Sequence, residues 1–324
     1  MPLKKILFKP GLNRENTRYT TEGGWYDADK IRFRQGNPEM IGGWQRISAY
    51  TFLGICRSLW NWVTLGLLNL IGVGTNLKFY IERGGVYYDI TPIRATVTLT
   101  DPFTLVAGST TVTVTDTAHG AVDGDFVTFS GATIGYVGGN VTAADFNKEF
   151  QITYVDVNTY TITIATTPNA TDAANSPMGG TVSAAYQINT GPAIATPTTG
   201  WGAGAWGSGT WGVGTTNYDP IRLWSQMNFG EDLIFGPRGG GIYYWDATGG
   251  VGVRGVNLTT LGGASDVPTV QNYIFISDVS RFVFAFGCND YGSAVQDPML
   301  IRWSDQESAV NWTTAATNQA GSLR

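Results

Sequence analysis

Histidine occurs once in this 324-residue sequence and cysteine twice, at Cys56 and Cys288. That leaves little material for a zinc site, a Ser-His or Cys-His nucleophile, or a disulfide framework. Charged residues are also sparse, at 14% against the roughly 25% usual for soluble domains. The longest apolar stretch, residues 65–74, contains Asn69 and falls well below the ~20 residues of a membrane helix. Residues 1–10 hold two early lysines but too few apolar residues for the core of a signal peptide, so no export signal is read. A Walker A motif, a dinucleotide fingerprint and a nucleophile elbow are all missing. Arg238-Gly239-Gly240-Gly241 sits in a hairpin pattern, without the helix N-terminus that binds phosphate.

What is abundant is glycine, 43 residues, nearly twice the usual ~7%, in a chain with 43% hydrophobic residues. This composition predicts an all-β, turn-rich protein with ample core. Charge is unevenly placed. Residues 1–57 carry a net +5, residues 58–92 are neutral, residues 93–190 carry −6 and residues 191–324 carry −4. Half the positive charge therefore lies in the first sixth of the chain, either a solvated entry segment or a docking arm for an acidic partner. The pI near 4.9 argues against tight, general nucleic-acid binding, which depends on neutralising phosphates with Lys and Arg.

Threonine crowds residues 93–190, and all eleven tryptophans lie outside that window. Inside it, residues 110–115, 126–129, 150–155 and 160–164 are β-branched, aromatic or alternating, separated by Gly, Asn and Asp turns. They predict a small β-sandwich or barrel with a surface loop over residues 165–180. On either side of this module, residues 77–91 and 232–248 share a strand, Arg-Gly-Gly turn, strand pattern. With the module removed the two copies are about 57 residues apart, near the ~40–50 of a propeller blade. Further strands are predicted at residues 67–73, 221–225, 273–277, 281–286 and 300–304. The expected fold is all-β: a β-propeller-like platform interrupted by an inserted small β-sandwich or Ig-like module, with an open series of stacked sheets as the alternative. The expected divisions are 1–92 (docking segment and first propeller strands), 93–190 (module), 191–218 (Gly/Trp-rich linker) and 219–324 (continuing propeller strands). No closing strand follows Arg324, so a longer protein is expected.

Several residues invite functional readings. Trp201, Trp206 and Trp211 recur every five residues among glycines, presenting indole faces to a sugar or partner, or plugging the platform. His119 with Asp123 and Asp125 suggests a cation site, but the Asp-Gly pair fits a tight turn equally well. Residues 304–312 resemble the Asp-box turn of sialidase propellers without its glycine, a fold feature rather than a catalytic one. Glycoside hydrolysis requires two carboxyl groups across a cleft, and nothing in the sequence pairs Asp27, Asp29, Glu231, Asp232, Asp305 and Glu307. No enzyme activity, metal or cofactor is expected.

Residues 30–44 (with Lys30, Arg32, Arg34 and Trp44), 201–212, 224–246 and 301–312 together resemble the tail hub or nozzle proteins of short-tailed bacteriophages, of the packaged DNA stabilisation type. The module is similar to the Ig-like domains of phage tail proteins at His119-Gly120, Gly124-Asp125 and residues 146–153. The resemblance implies a non-enzymatic virion tail protein, made in the host cytoplasm and assembled as a ring, typically sixfold. Its implied partners are the portal and adaptor, other tail or fibre proteins, and DNA that passes through the channel without specific binding. An acidic wall suits such passage. Lys30, Arg32 and Arg34 would alternate onto one face of a strand as a docking face, or simply keep an edge strand soluble. The competing readings are a carbohydrate-binding propeller or tail-spike lectin that uses the Trp-Gly segment, and a propeller glycosidase.

Overall fold

The computed structural model describes residues 8–15, 17–20, 23–43, 46, 48–133, 136–173, 177–191 and 221–324. Contacts divide the chain into residues 1–49 and residues 50–324.

The first unit is built around one hairpin, β1 (Ile31–Arg34) paired with β2 (Asn37–Met40). Its two-residue turn places Gln35 at φ +48° and Gly36 at φ +83°. Two consecutive left-handed residues match the right-handed twist of the flanking strands, and Gly36 adopts that φ without a Cβ penalty. Trp25 packs between Phe8 and Phe33, with ring centroids 5.8 and 6.2 Å away.

The second unit contains three four-stranded antiparallel sheets in chain order, the blades of the platform. The first is β3 (Cys56–Val63), β4 (Asn69–Thr75), β5 (Phe79–Arg83) and β6 (Val86–Asp89). Between it and the next come β7 (Ile93–Thr100), β8 (Phe103–Thr104), β9 (Thr111–Thr115), β10 (Phe126–Ser130), α1 (Ala143–Phe146), β11 (Glu149–Gln151), β12 (Thr153–Asp156), β13 (Thr159–Thr163), α2 (Ala170–Ala173) and β14 (Thr181–Gln187). The second blade is β15 (Trp224–Phe229), β16 (Asp232–Pro237), β17 (Tyr243–Trp245) and β18 (Val256–Asn257). The third is β19 (Tyr273–Ile276), β20 (Val283–Phe286), β21 (Ile301–Trp303) and β22 (Gly321–Leu323). The chain is all-β, a propeller-like platform interrupted by an inserted sandwich. No helix among the described residues is long and apolar enough to cross a membrane.

Adjacent blades meet through their first strands, since β15 contacts both β3 and β19. The close approach depends on missing side chains. Trp224 lies over Gly74 and Gln226 over Gly72. Trp224 Nε1 donates to the Thr75 carbonyl at 2.6 Å, and Phe79 stacks on Phe235 at 4.2 Å. At the next joint Gly236 lies against Ile274, whose N–H donates to Ser225 Oγ at 3.1 Å. Both joints thus use a cross-strand Ser-Gly pair, Ser58 with Gly74 and Ser225 with Gly236, as the recess for the following blade.

This register corrects the repeat expected from sequence. The Arg-Gly-Gly turn at Arg83 joins the third and fourth strands of its blade, whereas that at Arg238 joins the second and third. The shared pattern is one of hairpin chemistry. The blade step is instead set by the first strands, which begin at Trp224 and Tyr273, about 49 residues apart and within the usual blade range.

The inserted module is a sandwich of sheets ordered β11-β10-β14-β7 and β12-β13-β9-β8. Alternation carries its core. Val112 and Val114 of β9, and Tyr160 and Ile162 of β13, point inward while threonines point out. Residues 150–155 are not the single strand expected. The chain changes sheets at Ile152, 1% exposed, so that β11 pairs with β10 and β12 with β13. Nor is the 165–180 segment only a surface loop. Asp172 of α2 is fully buried and accepts from the Asn140 N–H at 3.0 Å, while Met178 bridges to Phe103.

A polar thread crosses this core. Tyr186 donates its hydroxyl to Asp116 at 2.6 Å and lies 2.8 Å from the Tyr160 hydroxyl. Burial first, then Tyr160 and Asp116, push the Tyr186 hydroxyl far above the ordinary tyrosine range, so it remains a donor. Tyr186→Phe leaves the buried Asp116 without this donor, and urea unfolding should register a loss of about 1–3 kcal/mol. An unchanged midpoint would remove the thread as a stabilising element.

Candidate functional site

On the β1–β2 hairpin, Ile31 and Phe33 are half-buried while Arg32 and Arg34 are exposed. Lys30 stands apart from the expected alternation, because it precedes the strand at φ +56° and is exposed there. Arg32 pairs with Glu39 across the hairpin at 3.2 Å, with both side chains about half exposed, so this pair contributes about 1 kcal/mol at most. Arg34 has no ion-pair partner among the described residues. The hairpin therefore presents two guanidinium groups on one face. Trp44, Trp201, Trp206 and Trp211, with the whole Gly/Trp segment over residues 192–220, lie outside the described residues.

The other charged constellation, at the seam between module and platform, has no counterpart in the sequence reading. Lys78, 2% exposed, opens towards β5 and donates to Asp89 of β6 at 2.8 Å and to Glu149 of β11 at 2.5 Å. Arg254, from the second blade, reaches Asp89 at 3.2 Å and Glu149 at 3.6 Å and donates to the Thr91 carbonyl at 2.7 Å. The Lys78 ammonium also lies 4.5 Å from the Phe126 ring centroid, on the module side. Two cations and two anions thus join first blade, second blade and insert. Burial pushes the Asp89 carboxyl up, but Lys78 and Arg254 outweigh it and hold it below its ordinary value. The sequence signal was one lysine in an apolar strand, with partners 71 and 11 residues distant.

His119 is buried in its turn, where Nδ1 accepts from the Ala121 N–H at 3.0 Å and Nε2 lies 2.9 Å from the Asp156 carbonyl. Those bonds place the ring proton on Nε2. Asp123 and Asp125 accept backbone N–H groups of Tyr154 and Val122. Burial raises the Asp125 carboxyl. These three side chains hold a turn, and no cluster of metal-ligating residues occurs among the described residues.

Four of the six outer carboxylates are likewise occupied. Asp27 pairs with Arg14, Glu231 accepts the Leu65 N–H, and Asp232 accepts the Tyr244 hydroxyl and the Ala247 N–H. Asp305 takes the N–H groups of Gln306 and Gln319 in the loop after β21, with the fully buried Trp312 beneath.

No protein-family model matches the chain, and no curated protein sequence matches it. Among solved structures it is similar to the endosialidase of phage phi92, with 15% identity and a TM-score of 0.25 over 78% of this chain. This chain spans about a third of that protein, 34% of its length. At that TM-score the likeness carries no weight for activity or assembly.

Proposed function

We propose that this chain is a structural component of a bacteriophage tail, part of a hub or nozzle ring. In this reading it extends the DNA channel below the portal and adaptor, helps retain the packaged genome and opens at infection. The observation that carries it is the stacked-blade platform with a sandwich held at its seam by an ion network around the buried Lys78. Such a construction suits a ring element that carries a further domain. It is joined by the sequence resemblance over residues 30–44, 224–246 and 301–312 and by a net charge of −5 that suits passage of DNA without adhesion. The proposed chemistry is assembly rather than catalysis.

The test is antibody labelling of DNA-filled particles from the source culture. Label at one vertex is the expected result. Free protein in the medium or cytosol, absent from particles, would overturn the tail reading and leave a glycan-binding platform to be tested with Trp206→Ala.

In the same reading the hairpin docks the ring to an acidic adaptor rim. Arg32→Glu with Arg34→Glu should abolish ring assembly on the adaptor, scored by negative-stain microscopy of the mixed proteins. Because the Arg32–Glu39 pair is exposed, the hairpin itself should persist. Unchanged assembly would sink the docking role.

A further inference from the structure

The β3–β4 hairpin ends in an apolar tip over residues 63–68, within a stretch, residues 58–77, that carries no charged side chain. Leu65 is 90% exposed and Leu67 83%. Leu67 holds φ +58°, whereas the neighbouring Gly66 is not in that region. A bulky residue in the left-handed region is strained, and glycine there would remove the strain. At this position stands a leucine that the described residues leave uncovered. The tip is also preformed. The Thr64 N–H donates to the Leu68 carbonyl at 3.0 Å, the Leu67 N–H to the Thr64 carbonyl at 2.9 Å and the Leu68 N–H to Thr64 Oγ1 at 3.2 Å. The Leu65 N–H donates to the Glu231 carboxylate and Trp62 Nε1 to the Glu231 carbonyl at 2.9 Å, which ties the tip to the second blade. With those donors satisfied, little desolvation or ordering cost opposes burial of the two leucines.

The module carries the complementary feature. Residues 119–123 with Tyr154 and Val157 line an open pocket of about 310 Å³. Val122, Tyr154 and Val157 are exposed, and the His119 ring stands 5.9 Å from that of Tyr154. Both His119 nitrogens and one Asp123 carboxylate oxygen are engaged with the module's own backbone. Such a wall rewards apolar contact above all. An engineered cavity of about 150 Å³ accepts one benzene, so this pocket has room for two branched side chains.

Tip and pocket lie at opposite ends of the first blade. β4 leads from the tip to the turn holding Lys78, whose ammonium meets the module at Glu149, and its seven residues cover roughly 23 Å at ~3.3 Å each. The pocket is at that far end, at the foot of the module, because Arg94 at the start of β7 donates to the His119 carbonyl at 2.8 Å. One copy therefore cannot fill its own pocket. We infer that the tip of one copy inserts Leu65 and Leu67 into the module pocket of a second copy. The two features match in chemistry and in size, and a tip that met only some other partner would leave the pocket without an occupant. Contact between two different surfaces is head-to-tail, so an open assembly always keeps one free tip and one free pocket until a ring closes. This contact goes beyond the tail reading, which names no surface between copies, and does not depend on it.

The test is sedimentation velocity of the whole chain over a concentration series. The parent is expected to associate beyond dimers as concentration rises. Leu67→Asn should weaken association at least about tenfold, the scale of one leucine no longer buried. Asparagine suits the left-handed φ, so an unchanged or raised melting temperature is expected and separates lost contact from lost fold. Leu65→Ser repeats the test at the other tip position. Val157→Asp, in the exposed wall of the pocket, should weaken association as much. An equimolar mixture of Leu67→Asn and Val157→Asp has one intact tip and one intact pocket per pair, and should form dimers and nothing larger.

A parent that stays monomeric, association untouched by the variants, or a mixture that fails to pair would overturn the inference. So would flotation of a monomeric chain with phosphatidylcholine and phosphatidylglycerol vesicles that Leu67→Asn abolishes, because a bilayer would then cover the tip. Head-to-tail pairing without label on particles would overturn the tail reading alone. Labelled particles together with a monomeric parent would overturn this inference alone.

Discussion

Lys78→Met is expected to destabilise the protein by about 3–5 kcal/mol, the range for removing one partner from a buried ion pair. The lysine is 2% exposed and serves Asp89 and Glu149 together. Without it, two carboxylates at the seam share the single charge of Arg254, which is itself one-third exposed. Adding Glu149→Gln restores one anion to one cation, so the double variant should recover much of the loss. Thermal or urea unfolding measures both. Equal stability of the single variant and the parent would show that water, rather than the lysine, compensates the seam.

The pH dependence has a definite sign. Asp89 is held below its ordinary value, so its contribution is complete above the unfolded carboxylate pKa of ~3.9 and is lost as pH falls through the lower folded value. The parent should therefore hold its stability from pH 8 to about 5 and weaken below about 4. In Lys78→Met the Asp89 carboxyl loses the cation that lowers it most, and the gap between variant and parent should narrow on acidification.

Gly74→Ala should produce the second large effect, about 3 kcal/mol. An added Cβ would lie 2.5 Å from the Trp224 ring and 2.9 Å from Ser58 Oγ. The indole has nowhere to go. Its N–H is bonded to the Thr75 carbonyl, Phe79 meets it edge-on at 4.8 Å, and only 5% of the residue is exposed. Overpacking at such a site costs typically 1–3 kcal/mol or somewhat more, and here it separates two blades. Gly66→Ala, on the same hairpin with its nearest neighbour 3.7 Å away, is the control and should be neutral or slightly stabilising. Combining Gly74→Ala with Trp224→Leu should give a favourable coupling energy, as contact between the sites requires. Additive effects would place the strain elsewhere.

Much of the architecture was legible in the sequence because strand alternation and turn residues are local. The window over residues 93–190 is visible as threonine without tryptophan, and its ends fall at β7 and β14. The strand exchange at Ile152 was not legible, because an alternating run reads the same whether or not the chain passes between sheets. The true blade register escaped for a related reason. Arg83 and Arg238 share hairpin chemistry at different ranks, whereas the Ser-Gly recesses emerge only once strands are paired. The candidate sites were less accessible still. Arg32 and Arg34 could be placed on one face by parity, but Lys78 meets Glu149 across 71 residues and Arg254 meets Asp89 across 165.

The module enters the platform through β7 and leaves through β14, and these two strands pair antiparallel along their length. At the base of that pair the Ile188 N–H donates to the Pro92 carbonyl at 3.0 Å. Departure and return are thus side by side, and the platform spans the same gap whatever lies beyond it. The sandwich is in effect a cassette: a different domain with adjacent ends, or a short turn, could replace it without moving β6 or β15. Evolution is free to vary what this platform carries between β6 and β15, at the rate its surroundings demand, while the stacked sheets stay the same.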